Sequence, residues 1–219
     1  MRTVIYPILF LASSLLYAQN TAFQSNQNMN NGILRNGLYD GAKSGYDIEG
    51  SPFIYINYVK AEIQNGASNI LIRYNAMKDE IEVKDGANVY VLPKDDKYNS
   101  IIIETGEKIN LVSYTERNKT VKGYLFLIAE KNNIKLYRKD SVILTKEKEA
   151  KSSYEENRPA EYKKQKEVYF LEANNGKIIE FPKNKNKLID ALPDFKNTIE
   201  KSSFNYSKEA DLVKFINSL

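Results

Sequence analysis

Asn69–Leu92 reads NILIRYNAMKDEIEVKDGANVYVL. Ile70–Tyr74 is a short β-branched and aromatic run, and in Glu80–Val83 the acids Glu80 and Glu82 alternate with Ile81 and Val83. That period of two belongs to a strand with one face in water. Asp85-Gly86 then offers the backbone freedom of a tight hairpin, and Val89–Leu92 runs on to Pro93, which lacks the N–H a ladder needs. The stretch predicts strand, turn and strand, repeated.

The same grammar extends outward, from about Ser51 to Lys146. Phe53–Ile63 (FIYINYVKAEI) has no helical period and predicts one strand, with Asn65-Gly66 turning the chain into Ile70. Ile101–Glu104 and Lys108–Tyr114 flank Thr105-Gly106, while Lys122–Glu130 and Ile134–Leu144 flank Asn132-Asn133. Further on, Val168–Leu171 and Ile178–Phe181 flank Asn174-Asn175-Gly176. Hairpins in succession leave no room for the long crossovers of a parallel sheet. Between the last two, Lys146–Lys166 (KEKEAKSSYEENRPAEYKKQK) is a mixed-charge run, expected as a solvated linker or exposed helix. After Pro182 the period changes. Leu188, Ile189 and Leu192 predict a short helix stopped by Pro193, and Asp194 is placed as the cap of a second carrying Phe195 and Ile199. Ser207 is placed as the cap of a third, whose Leu212, Val213, Phe215, Ile216 and Leu219 form an apolar stripe. The expected class is α+β: a predominantly antiparallel β meander, able to roll into a partial barrel, with short C-terminal helices from about residue 185.

The N-terminal part reads differently. Met1–Ala18 has Arg2 near its start, an apolar run from Val4 to Leu16, and a small-residue end, which is the layout of a secretory signal. The run is too short to span a bilayer, and no later stretch approaches that length. Gln19–Asn36 is rich in Asn and Gln and is expected to be a disordered leader. Gly37–Pro52, with Gly37, Gly41, Gly45 and Gly50, reads as turns anchored by Leu38, Tyr39 and Tyr46. The expected layout is signal 1–18, leader 19–36 and a single β-rich domain over 37–219, exported to the periplasm or the medium.

Composition narrows the chemistry. The 219 residues include no Cys and no His, but 16 Tyr and 9 Phe, with a net charge of +4. No disulfide framework exists, and no lipid can attach through an N-terminal cysteine. The near-balanced, interspersed charge creates no field for nucleic acid, and Lys183, Lys185 and Lys187 read as a loop leading into a helix. Without His or Cys there is no Ser-His or Cys-His pair and no His-based zinc or iron site. GxSxG, GxGxxG and the phosphate-binding Gly-Lys-Ser/Thr loop are absent too. Carboxylates remain. Asp79, Glu80 and Glu82 are the candidate catalytic residues, because two carboxylates roughly 5–9 Å apart cleave glycosidic bonds. The competing reading is the solvated face of a strand. Asp95, Asp96 and Asn99 depart from calcium-loop spacing and read as a polar turn. No cofactor is implied.

RYNAMKDEIEV (Arg73–Val83), GSPFIYINYVKAEI (Gly50–Ile63) and KIIEFPKNK (Lys177–Lys185) resemble stretches of a group of small exported proteins of Bacteroidetes-type bacteria whose function is unknown. The resemblance implies a bacterial envelope setting and a β-rich core, and it assigns no catalytic residue. Asp140-Ser141-Val142 resembles the O-glycosylation acceptor of such bacteria, which makes Ser141 a candidate modification site. The function expected is that of a non-enzymatic binding or structural protein, with another envelope protein as its partner. The alternative is a carboxylate-dependent hydrolase acting on envelope or extracellular glycans. Binding predicts an exposed apolar patch or an unpaired sheet edge, whereas hydrolysis predicts a pocket where the acids converge.

Overall fold

The computed structural model describes residues 48–219, apart from 65, 67, 149, 151–153, 155, 156 and 174. The expected signal, leader and glycine-rich segment up to Asp47 lie outside the described residues, as do Asn65 and Asn174 of two expected turns. The strands are β1 (Glu49–Gly50), β2 (Val59–Ile63), β3 (Ile70–Asn75), β4 (Glu80–Asp85), β5 (Asn88–Val91), β6 (Ser100–Ile103), β7 (Lys108–Glu116), β8 (Lys119–Lys131), β9 (Ile134–Lys139), β10 (Val142–Thr145), β11 (Glu161–Lys164), β12 (Val168–Glu172) and β13 (Ile178–Glu180). Helices α1 (Lys185–Ala191), α2 (Lys196–Lys201) and α3 (Glu209–Ser218) follow.

Turn chemistry sets the hairpins. Asn132 and Asn133 both hold positive φ, 50° and 61°, as a two-residue loop of type I′ requires. Arg117 and Asn118 do the same between β7 and β8, at 47° and 63°. That turn is not expected from the sequence, because arginine is no turn former. In the opening stretch Asp85 pairs with Asn88, so the loop is Gly86-Ala87, with Gly86 at φ 58°.

Five strands close on themselves. β7, β8, β9, β12 and β13 form an antiparallel meander, and β13 returns to pair with β7 at Ile178↔Tyr114 and Ile179↔Thr115. With an odd number of alternating strands the first and last run the same way, so the closing pair is parallel. One buried residue from each strand fills the interior: Tyr114, Leu125, Tyr137, Phe170 and Ile178. Tyr114 and Phe170 meet edge-on, with centroids 4.8 Å apart. Polar pairs finish the barrel, Lys139–Glu116 at 2.7 Å and Tyr137 Oη donating to Glu172 at 2.7 Å.

The sheet continues past β7 in the order β6-β2-β3-β4-β5 and curls back, so that Tyr74 of β3 meets Phe126 of β8 at 5.6 Å between centroids. Strands β7 and β8 are thus buried on both faces. Tyr124 and Phe126 join the core under β3 and β4, while Leu125 fills the barrel. This double burial explains the unbroken apolar run Tyr124–Ala129. A bulge between Leu127 and Ala129 then re-aims β8 toward the helices. Leu188, Ile199, Leu212, Phe215 and Ile216 from the helices pack there on Ile134, Leu136 and Leu171.

The α+β class, the antiparallel hairpins and the late helices stand as expected, and closure is complete in the five-stranded ring. Several details differ. The meander is broken twice: β6 crosses back to pair with β2, and β9 is neighboured by β12 after the chain has passed through β10 and β11. Phe53–Ile63 yields only Val59–Ile63 as strand. Residues 54–57 bend so that Phe53 and Tyr58 flank the Arg73 guanidinium at 3.4 and 4.5 Å. Ile134–Leu144 is split at Asp140-Ser141 into β9 and β10. Within the expected linker, Glu161–Lys164 forms β11, which pairs with β10 and, in parallel, with β1. Tyr162 packs on the core and draws this charged segment into a sheet. Pro193 opens a 3-10 turn that contains Asp194, so α2 has no side-chain cap. Lys208 rather than Ser207 precedes α3, again without a side-chain cap.

Candidate functional site

The candidate carboxylates do different jobs. Asp79 stands before β4 at φ 55° and turns its side chain toward β8. Its Oδ1 accepts from Tyr74 Oη at 2.9 Å and from the Tyr124 N–H at 3.1 Å, and its Oδ2 accepts from Lys94 Nζ at 2.5 Å. The β8–β9 register ends at Phe126↔Arg138. Beyond it the Tyr124 N–H has no strand to bond, and Asp79 supplies the acceptor. The approach needs Gly123, where a Cβ would fall 2.5 Å from Asp79 Oδ2 and 3.2 Å from Tyr114 Oη. Burial, reinforced by the charge of Asp79, pushes the Tyr74 and Tyr124 hydroxyls well above their ordinary pKa, which keeps them protonated.

Glu82 faces Arg73 across the β3–β4 pair. It accepts from Nη2 at 2.9 Å and from Tyr58 Oη at 3.2 Å. Glu80 shares that side of β4 by the alternation of the strand and lies close enough to Tyr124 to raise its pKa further. Asp79 is thus bound to the main chain of Tyr124, whereas Glu82 is held by Arg73. Among the described residues no group of three acids is arranged to hold a metal ion. Asp95 caps the 3-10 turn Asp96–Tyr98 by accepting from the Lys97 N–H at 2.9 Å, and Asp96 pairs with Lys122 at 2.7 Å. Lys185 Nζ donates to the Glu200 carbonyl at 2.9 Å, tying α1 to α2.

A hub absent from the sequence reading forms at Arg138. Its Nε reaches Asp140 at 3.1 Å and its Nη1 reaches Glu209 at 3.0 Å, with the guanidinium 5.1 Å over the Phe126 ring. Glu107, at 4.0 Å, also accepts from Tyr55 Oη at 2.6 Å. Asp140 is 1 % exposed, and its Oδ1 lies 3.7 Å from Lys164 Nζ. One arginine thus joins β9, the β6–β7 turn, the start of α3 and, through Asp140, β11. Ser141, next in the chain, is half-buried, and its carbonyl accepts from the Gln165 N–H at 2.8 Å.

Among the described residues two sheet edges are uncharged strands, β10 and β5. β10 ends the sheet β1-β11-β10, and its Val142 N–H donates to the Ala76 carbonyl at 3.3 Å. By the period of two the main-chain groups of Leu144 point the same way, and no described strand lies beyond them. Ile143 and Leu144 point to opposite faces, yet are 47 % and 43 % exposed. The strand carries no charge, so it is an open apolar edge. The sequence does hold the signal, since Val142-Ile143-Leu144-Thr145 is the uncharged run just before Lys146-Glu147-Lys148. β5 ends the long sheet, and beside it Leu71 and Val89 are exposed among Lys60 and Lys84 on the outer face. Comparison with known proteins finds no matching family model, no matching curated protein and no matching solved structure.

Proposed function

We propose that this is an exported, non-catalytic protein of a bacterial envelope or its surroundings, which binds a protein partner by strand addition at β10. The observation that carries the reading is the β10 edge: uncharged, β-prone, and exposed at both Ile143 and Leu144. Isolated exposed apolar residues are ordinary, but Ile143 and Leu144 lie side by side on opposite faces of one terminal strand, each more than two-fifths exposed, beside the buried Val142. Added strands gain main-chain hydrogen bonds from such an edge and specificity from its side chains. Export and the envelope setting rest on the Met1–Ala18 pattern and on the resemblance of Arg73–Val83. The carboxylates favour the non-catalytic reading, because Asp79 already accepts three hydrogen bonds and Glu82 serves Arg73.

The test is affinity capture from the native envelope fraction with the wild-type chain and with the Ile143→Lys/Leu144→Lys double variant. A partner that binds the first and not the second supports the reading. Equal capture by both removes β10 as the site.

A further inference from the structure

We infer that two copies of this chain associate through β5, antiparallel about a two-fold axis at Tyr90. The main chain of β5 carries the argument. The Leu92 N–H donates to the Ile81 carbonyl at 2.8 Å, and Asn88 and Tyr90 share its direction toward β4. Val89 and Val91 consequently turn their N–H and C=O groups outward, at an edge where the sheet ends among the described residues. An antiparallel copy in which Val89 meets the partner's Val91 pairs every one of these groups, giving two reciprocal hydrogen-bonded pairs. Any other two-fold register joins one such pair and leaves the rest open.

The side chains suit the same register. Along the outer face Lys84 lies beside Val89, and Glu82 beside Val91. The row across the seam then reads Lys84, Val89, the partner's Val91, the partner's Glu82. Valine meets valine, and no like charges oppose each other. β5 is Asn-Val-Tyr-Val, without the charge, proline or bulge that keeps edges apart. Shortness is its one safeguard, and Pro93, which has no N–H, stops the edge. A seam this short buries less than a standard permanent interface, so association is reversible and concentration-dependent. This proposal does not depend on β10.

The absence of cysteine allows a sharp test. Tyr90→Cys places two thiols opposite each other at the axis. There a non-hydrogen-bonded pair has Cα atoms about 4.5 Å apart, within the range a disulfide spans. Mild oxidation is expected to give a covalent dimer of the Tyr90→Cys variant, while Ile143→Cys at the other edge stays largely monomeric. Sedimentation equilibrium of the wild type is expected to show a monomer–dimer equilibrium, weakened by at least about tenfold in Val91→Lys, or about 1.4 kcal/mol. A wild type that remains monomeric at its highest soluble concentration overturns the proposal, as does Tyr90→Cys crosslinking no faster than Ile143→Cys. If Tyr90→Cys fails to fold, the wild-type and Val91→Lys sedimentation decide alone. Capture of a foreign strand at β5 by a monomeric wild type also counts against a second copy.

Discussion

Asp79, Gly123 and Arg138 hold together segments far apart in the chain. Gly123→Ala puts a methyl group 2.5 Å from Asp79 Oδ2, and the resulting shift is expected to cost about 1–3 kcal/mol. Asp79→Ala strands the Tyr74 hydroxyl and the Tyr124 N–H, at a similar cost of about 1–3 kcal/mol. Because both changes break one bracket, denaturant melts of the double variant should show less than the sum. Additive losses would mean that the close approach does not constrain the fold. Arg138→Met leaves Asp140 buried with only the longer Lys164 contact, and is expected to lose about 3 kcal/mol. Asp79 could be picked out in the sequence as a carboxylate. Its role could not, since that depends on an N–H 45 residues away and on a glycine whose importance is spatial.

At the scale of elements, the two open edges separate binding from stability. Ile143→Lys and Leu144→Lys are expected to change thermal stability by no more than about 0.5 kcal/mol, because exposed positions lose little packing. A large loss would mean that β10 is covered in the folded protein. Hairpins whose signal is local were legible: Thr105-Gly106 and Asn132-Asn133 sit where the sequence places them, with Gly106 at φ 89°. β11 was not. In Glu161-Tyr162-Lys163-Lys164 the strand is drawn in by Tyr162 and by pairing to β10, and neither effect alters local composition. The same tertiary override bent Phe53–Tyr58 around Arg73. Caps at Asp194 and Ser207 failed because Pro193 and Asn205 reorganise the helix starts, with Asn205 accepting from the Ser207 N–H at 2.9 Å.

For the whole molecule, ring closure by β13 against β7 leaves no local trace in sequence, since parallel partners meet only after the meander has formed. Composition gives it a distinctive pH response. With no histidine or cysteine, few groups titrate near neutrality, so stability is expected to be flat there. Tyr74, Tyr124 and Tyr137 have folded pKa values raised above the ordinary 10.0 by burial, with help from Asp79 and Glu172. The folded state then holds protons that the unfolded chain releases, so their contribution is present below pH 10 and is lost as pH rises above it. Glu167 is held below the usual 4.5, first by a hydrogen bond to its own main chain and then by Lys164. Its contribution is present above that value and is lost as pH falls through the lowered pKa. Denaturation midpoints across pH, with tyrosinate absorbance on the alkaline side, check both limbs. Partner binding through the β10 edge is tested by envelope capture with wild type and the Ile143→Lys/Leu144→Lys variant side by side. A partner retained by the wild type and lost by a variant of equal stability is the predicted result, and the same partner held equally by both would contradict it.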